Sequence, residues 1–234
     1  MRIRCVWEHN GNDTIMYSDN YIGAFTRGKT KEIALAKMQQ EVSTYLEWKG
    51  ELVPELTTEI VQEKDSTLHI CDADSDILFD EERKPLSIEE YTQLKELALK
   101  SAQDFWKLYD EIPDKNKSNL PERQTFYGQV PRTANEMYEH TKNVNSYYFS
   151  EIGIEVDNDG TIFQCRKKGF ERLEQNSNYL NNTVVIGSYN ELWSLRKVIR
   201  RFIWHDRIHA KAMYKMALKT FDKESINNVF KFII

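Results

Sequence analysis

The hydrophobic period of this chain changes for good around Glu81 to Pro85, and that change limits the folds open to it more than any other feature. Ahead of it, short runs in which apolar and polar residues alternate surround a single helical stretch; behind it, apolar residues recur every three or four residues over several long stretches. A strand turns successive side chains to opposite faces, while a helix returns to the same face after about 3.6 residues, so the two patterns bury different sets. The expected architecture is a small α+β domain over residues 1–82 and a four-helix bundle over 87–234. Residues 83–86 form a charged, proline-containing linker, and an irregular insertion interrupts the bundle at 154–186.

In the first domain, I-R-C-V-W-E-H and T-I-M-Y-S flank the turn residues N-G-N-D, which predicts a hairpin, and a third strand is expected at Tyr21 to Phe25. Thr30 then caps a helix to about Trp48 with Ile33, Ala34, Met38, Val42, Tyr45 and Leu46 on one face, closed by Gly50. T-T-E-I-V-Q-E and D-I-L-F-D read as two more strands. In the second domain, Ser87 with Glu90 and Thr133 with Glu136 form S/T-x-x-E capping boxes that open helices to about Ile112 and Ile152. A hairpin is expected at D-N-D-G and a short helical piece near Gly169 to Gln175. A long helix is expected from Tyr189 to Thr220, and a final one from Lys223 to Phe232.

Charge excludes one class of partner. The net charge is -5, but residues 1–85 hold 10 Lys and Arg against 17 Asp and Glu, which argues against that half gripping nucleic acid. No apolar run reaches the ~20 residues of a spanning helix, and M-R-I-R-C-V-W has no signal-peptide character, so a cytoplasmic protein without a membrane segment is expected. Cys5, Cys71 and Cys165 form no C-x-x-C pair, so they point to neither a disulfide framework nor a zinc ribbon.

The chemistry lies in three histidines. Along the last long helix, Leu195, Val198, Phe202, His205, His209, Ala212 and Met216 follow one another at spacings of three and four, so His205 and His209 both fall on the apolar stripe. On an earlier helix His140 interrupts the stripe of Met137, Val144, Tyr147, Tyr148 and Ile152. A buried polar group without a partner costs roughly 1 to 3 kcal/mol. One histidine of this kind is commonly a hydrogen-bonded core residue; three on two facing helices are accounted for together by a divalent ion with open positions for water, the pattern of a catalytic site.

The capped helix carrying one histidine, followed by W-x-x-R-x-x-x-x-x-F-x-W-H-D-x-x-H from Trp193 to His209, resembles the DinB-like superfamily of four-helix bundles over residues 87 to 220. The resemblance implies a divalent metal, whether zinc, nickel, iron or manganese, held by His140, His205 and His209. It also implies a metal-dependent hydrolase or a thiol-dependent S-transferase acting on a small molecule. A helical bundle is in addition compatible with a homodimer. Where many members carry Arg-Gly-Gln after the last histidine, this chain has Ala210, Lys211 and Ala212. Asp206 and Glu139, each next to a ligand histidine, are the candidate acid/base or supporting groups; a helix neighbour points about 100° away, so both also fit a solvated surface. Glu136, one turn before His140, is accounted for by its capping box.

The N-terminal domain resembles the HicB-like fold, with Gly28, Thr30 and Ala34 matching its G-x-T turn and helix start. This implies an interaction module that engages a protein partner, and with it a second function class: a non-enzymatic regulatory protein whose metal is structural or absent. Two features are set aside. V-D-N-D-G-T-I-F lacks the closing glutamate of a calcium loop, since Arg166 stands there. The basic stripe of Arg196, Arg200, Arg207, Lys211 and Lys215 reads as a solvated face, with docking of the acidic N-terminal domain or another acidic partner as the alternative.

Overall fold

The computed structural model describes residues 1–221 and 226–234 and divides into two compact units. The first unit comprises Met1–Glu81 with Phe230–Ile233, and the second comprises Glu82–Val229. The fold is mixed α+β: a sheet and one helix in the first unit, and four further helices among the described residues of the second. No described helix is long and apolar enough to cross a membrane.

In the first unit, β1 (Arg2–His9), β2 (Thr14–Ser18), β3 (Phe25–Gly28) and β4 (Thr57–Asp65) form a sheet in the order β3-β2-β1-β4, with β4 parallel to β1 and the other pairs antiparallel. The hairpin forms where the turn residues predict it, since the Asn10 side chain accepts from the backbone of Asn12 and Asp13. Helix α1 (Lys31–Lys49) starts from the Thr30 cap and stops at Gly50, whose φ of 77° lets the chain turn left-handed and close the last turn. Its buried face holds Ala34, Met38, Val42, Tyr45 and Leu46, whereas Ile33 is 45% exposed.

Two expected strands differ. Tyr21 to Ala24 form a turn held by the Ser18 hydroxyl on the Tyr21 amide, so β3 starts only at Phe25. Ile77, Leu78 and Phe79 are buried as a strand would bury them, but they join no ladder: the Gln62 side-chain amide donates to Leu78 O and accepts from Asp80 N. One side chain thus meets backbone groups that a strand partner would otherwise satisfy.

The expected final helix falls partly on residues 222–225, which lie outside the described residues; Ile226 to Ile234 are not helical. Phe230 belongs to the first unit, stacked on Trp48 at 5.2 Å between ring centroids.

The second unit is built from α2 (Ile88–Glu111), α3 (Ala134–Ser150), α4 (Ile162–Leu173) and α5 (Leu195–Thr220), with α2 and α3 each packed against α4 and α5. Short two-stranded ribbons intervene: β5 (Gln124–Thr125) with β6 (Gly128–Gln129), and β7 (Val185–Ile186) with β8 (Leu192–Trp193). The Thr133–Glu136 capping box is complete. The Ser87 hydroxyl caps α2, but Glu90 does not reach back; its carboxylate takes both Nη atoms of Arg196 at 2.5 and 2.6 Å.

Two helix starts differ from expectation. The D-N-D-G segment forms no hairpin: the Asp157 carboxylate accepts from Asp159 N, and the chain runs into a capping box of Thr161 with Gln164 that opens α4 seven residues earlier than Gly169. The long helix does not run from Tyr189, because Tyr189 and Asn190 both have φ of 59° and β7 and β8 pair around them; α5 starts after the Ser194 cap.

The solvated basic stripe is also corrected. Arg200 and Arg207 are buried, and Arg200 donates to both carboxylate oxygens of Glu82. The segment expected as a linker is clamped as well, with the Asn182 amide donating to the carbonyls of Glu82 and Lys84, and Arg196 to those of Lys84 and Pro85. Arginine meets several acceptors in one plane, so basic residues in this helix organise backbone that a sequence pattern reads as loop.

Candidate metal centre

His205 and His209 stand one turn apart on α5, and His140 comes to them from the second turn of α3. The ring centroids are 4.5 Å apart for His205 and His209, 4.7 Å for His140 and His209, and 5.1 Å for His140 and His205. One potential ligand nitrogen from each lies within 4.8 Å of the others. Two imidazole nitrogens on a tetrahedral zinc ion are separated by about 3.3 Å, so rings set this way need to draw in by about 1.5 Å at most.

The stripes that place the histidines are partly as expected. On α5 Leu195, Val198, Phe202 and His205 are buried, but the buried face then moves to Ala210, Met213, Met216 and Ala217, which leaves His209 and Ala212 half-buried. On α3 the buried face runs through Met137, Tyr138, Thr141, Asn145, Tyr148 and Phe149. His140 and Val144 sit at its edge, and Tyr147 is 37% exposed. The shift has a chemical cause: Thr141 satisfies its hydroxyl on Met137 O at 2.7 Å, and Asn145 accepts from Arg166 Nε at 3.1 Å, so two polar residues occupy the core. The edge position suits a ligand, since it faces the other histidines while leaving access for solvent.

All three imidazoles are held in the neutral form that binds a metal. Burial lowers the pKa of His140. Burial and then the His140 ring bring His209 down to about 3. His205 falls well below the ordinary value, through burial first and then the charges of His209, His140, Arg201 and Arg166. His205 Nδ1 is buried with no hydrogen-bond partner, an orphaned polar atom of the kind a metal would satisfy. The donor set of three imidazoles fits zinc, nickel or iron and leaves positions open for water or substrate.

The candidate acid/base groups lie elsewhere. Asp206 is fully buried, its carboxylate spanned by Nη1 and Nη2 of Arg166. Burial pushes its pKa up, while the Arg166 charge and hydrogen bonds pull it back down. Arg166 also donates to Ala98 O and lies over the Phe202 ring at 4.3 Å, so this pair locks α2, α3, α4 and α5 together directly behind His205. Glu139 is paired with Lys142 at 2.8 Å. Glu136 takes the backbone N–H groups of Arg132 and Thr133, which lower its pKa. No carboxylate joins the ligand group among the described residues.

Two residues near the centre are absent from the sequence-level set. Arg166 belongs to α4, and the T-x-x-Q capping signature at Thr161 was the signal that could have placed it. Arg201 lies one turn before His205 with its guanidinium over Tyr148, Trp193 and Trp204. Comparison of the chain with family models, curated proteins and solved structures finds no match.

Proposed function

We propose that the second unit binds a divalent metal ion through His140, His205 and His209, in the manner of the DinB-like bundles its motifs resemble. The ion then serves a hydrolase or transferase reaction on a small molecule. The observation that carries this reading is the convergence of three neutral imidazoles from two helices to within 4.8 Å of one another. Three protein ligands leave the ion room to take a water or substrate atom, to polarise it, and to lower its pKa. The open edge of α3 at His140 favours a reaction site over a closed structural one. With Asp206 committed to Arg166, its role in this reading is to hold α5 in rotation so that His205 faces the other ligands.

Metal analysis of the purified protein tests the reading. The expected result is one equivalent of ion in the wild type and its loss in both His140→Ala and His209→Ala, with helicity and melting temperature kept. Wild-type protein that comes metal-free and takes up no zinc, nickel or manganese would overturn it.

A further inference from the structure

The first unit is completed by a piece of chain distant from it in sequence. Met1–Glu81 are joined by Phe230–Ile233, and residues 82–229 lie between the two along the chain. A row of aromatic rings marks where the returning segment sits. Tyr21 meets Tyr45 of α1 at 6.1 Å between centroids, and Tyr45 meets Trp48 at 5.5 Å. Phe230 then stacks on Trp48 at 5.2 Å, and Phe232 on Phe230 at 5.3 Å. The segment lies there as a docked peptide does: Phe230 and Phe232 are 1% and 5% exposed, while Lys231 between them and Ile233 after them face solvent. Lys231 has φ of 59°, a left-handed conformation that a side chain disfavours, so the docked form carries strain that release relieves.

We propose that the face of α1 around Trp48 is a docking groove for an extended segment of another protein, with two aromatic side chains two residues apart and a basic residue between them. Phe230 to Phe232 is then the strap that closes the groove in cis. The strap shows what the groove accepts, since its two rings fill it. Extended peptides are read through alternate side chains, and a few buried rings carry most of the affinity of such contacts. A basic residue at the centre suits a unit whose residues 1–85 hold 17 acidic against 10 basic groups. A partner has to displace the strap, so the contact is autoinhibitory: the apparent affinity falls by the fraction of molecules whose groove is open.

The test uses the full chain and a fluorescein-labelled peptide of residues 226–234, read by fluorescence anisotropy. The double variant Phe230→Ala/Phe232→Ala leaves the groove open and is expected to bind the peptide, while the wild type, with its own strap in place, binds it about tenfold or more weakly. A peptide carrying the same two substitutions should bind neither protein. Hydrogen exchange in α1 should be faster in the double variant and slow again when the peptide is added. Equal binding of the peptide by wild type and double variant, or equal binding of the two peptides, overturns the proposal. So does a double variant that keeps the circular dichroism of the wild type and binds nothing. A double variant that loses that circular dichroism overturns it too, because rings the fold cannot do without are core and not a strap.

Discussion

His140, His205 and His209 are each held below the ordinary imidazole pKa, with burial the first cause in every case. The sign of the consequence follows from proton counting. Between the unfolded value of about 6.5 and the folded value of about 3 for His209, the unfolded chain binds more protons than the folded one, so stability is present above that window and lost as pH falls through it. Metal-free wild type should therefore lose melting temperature more steeply from pH 7 to pH 5 than His209→Ala does. Equal slopes would mean that His209 is not held neutral. A proton also competes with the ion for each ring, so loaded protein should release its metal on dialysis in the same range. Asp206 gives a second residue-scale prediction. Asp206→Asn leaves the Arg166 guanidinium buried without its counter-charge, at a cost of about 3 to 5 kcal/mol read by denaturant unfolding. A loss below about 1 kcal/mol would show that Asn145, Ala98 O and Phe202 suffice to hold Arg166.

Helices α1, α2 and α3 were legible because their starts carry chemistry a sequence shows directly: a Thr or Ser oxygen placed to accept from the N3 amide. α4 was not, because its buried face contains Arg166 and Gly169, neither of which counts as apolar. Arg166 is inside because Asp206 and Asn145 receive it, a partnership across three helices that no local pattern contains. Gly169 is inside because a Cβ there would stand 1.9 Å from Phe149 Cε2, so only glycine lets α4 approach α3. Gly169→Ala should therefore force the Phe149 ring aside and destabilise the helical unit by about 1 to 3 kcal/mol, seen as a lower urea midpoint. An unchanged midpoint would contradict the close packing of α4 on α3. The stripes of α3 and α5 were legible in period but not in phase. Thr141 and Asn145 look like surface residues and Arg200 and Arg207 like a solvated row, yet all four are buried, and polar groups receive Thr141, Asn145 and Arg200 there.

At the scale of the molecule, the change of period near residue 82 coincides with the limit of the first unit at Glu81, while the return of Phe230 to Trp48 has no signature in the sequence, because it depends on where the chain ends up rather than on spacing. The three-histidine group was the most legible feature of the candidate site, since polar residues at apolar positions stand out against an otherwise regular stripe. Its surroundings were not: Arg166 comes to Asp206 from α4, and Arg201, although one turn before His205, meets Tyr148 of α3, both through the packing of helices. The measurement that tests the central claim most directly is anomalous scattering from crystals of the protein grown with zinc or nickel. A single anomalous peak bonded to nitrogens of His140, His205 and His209 at about 2.1 Å is the predicted result. An ion bound elsewhere, or a histidine cluster that stays without an anomalous peak at saturating metal, would contradict it.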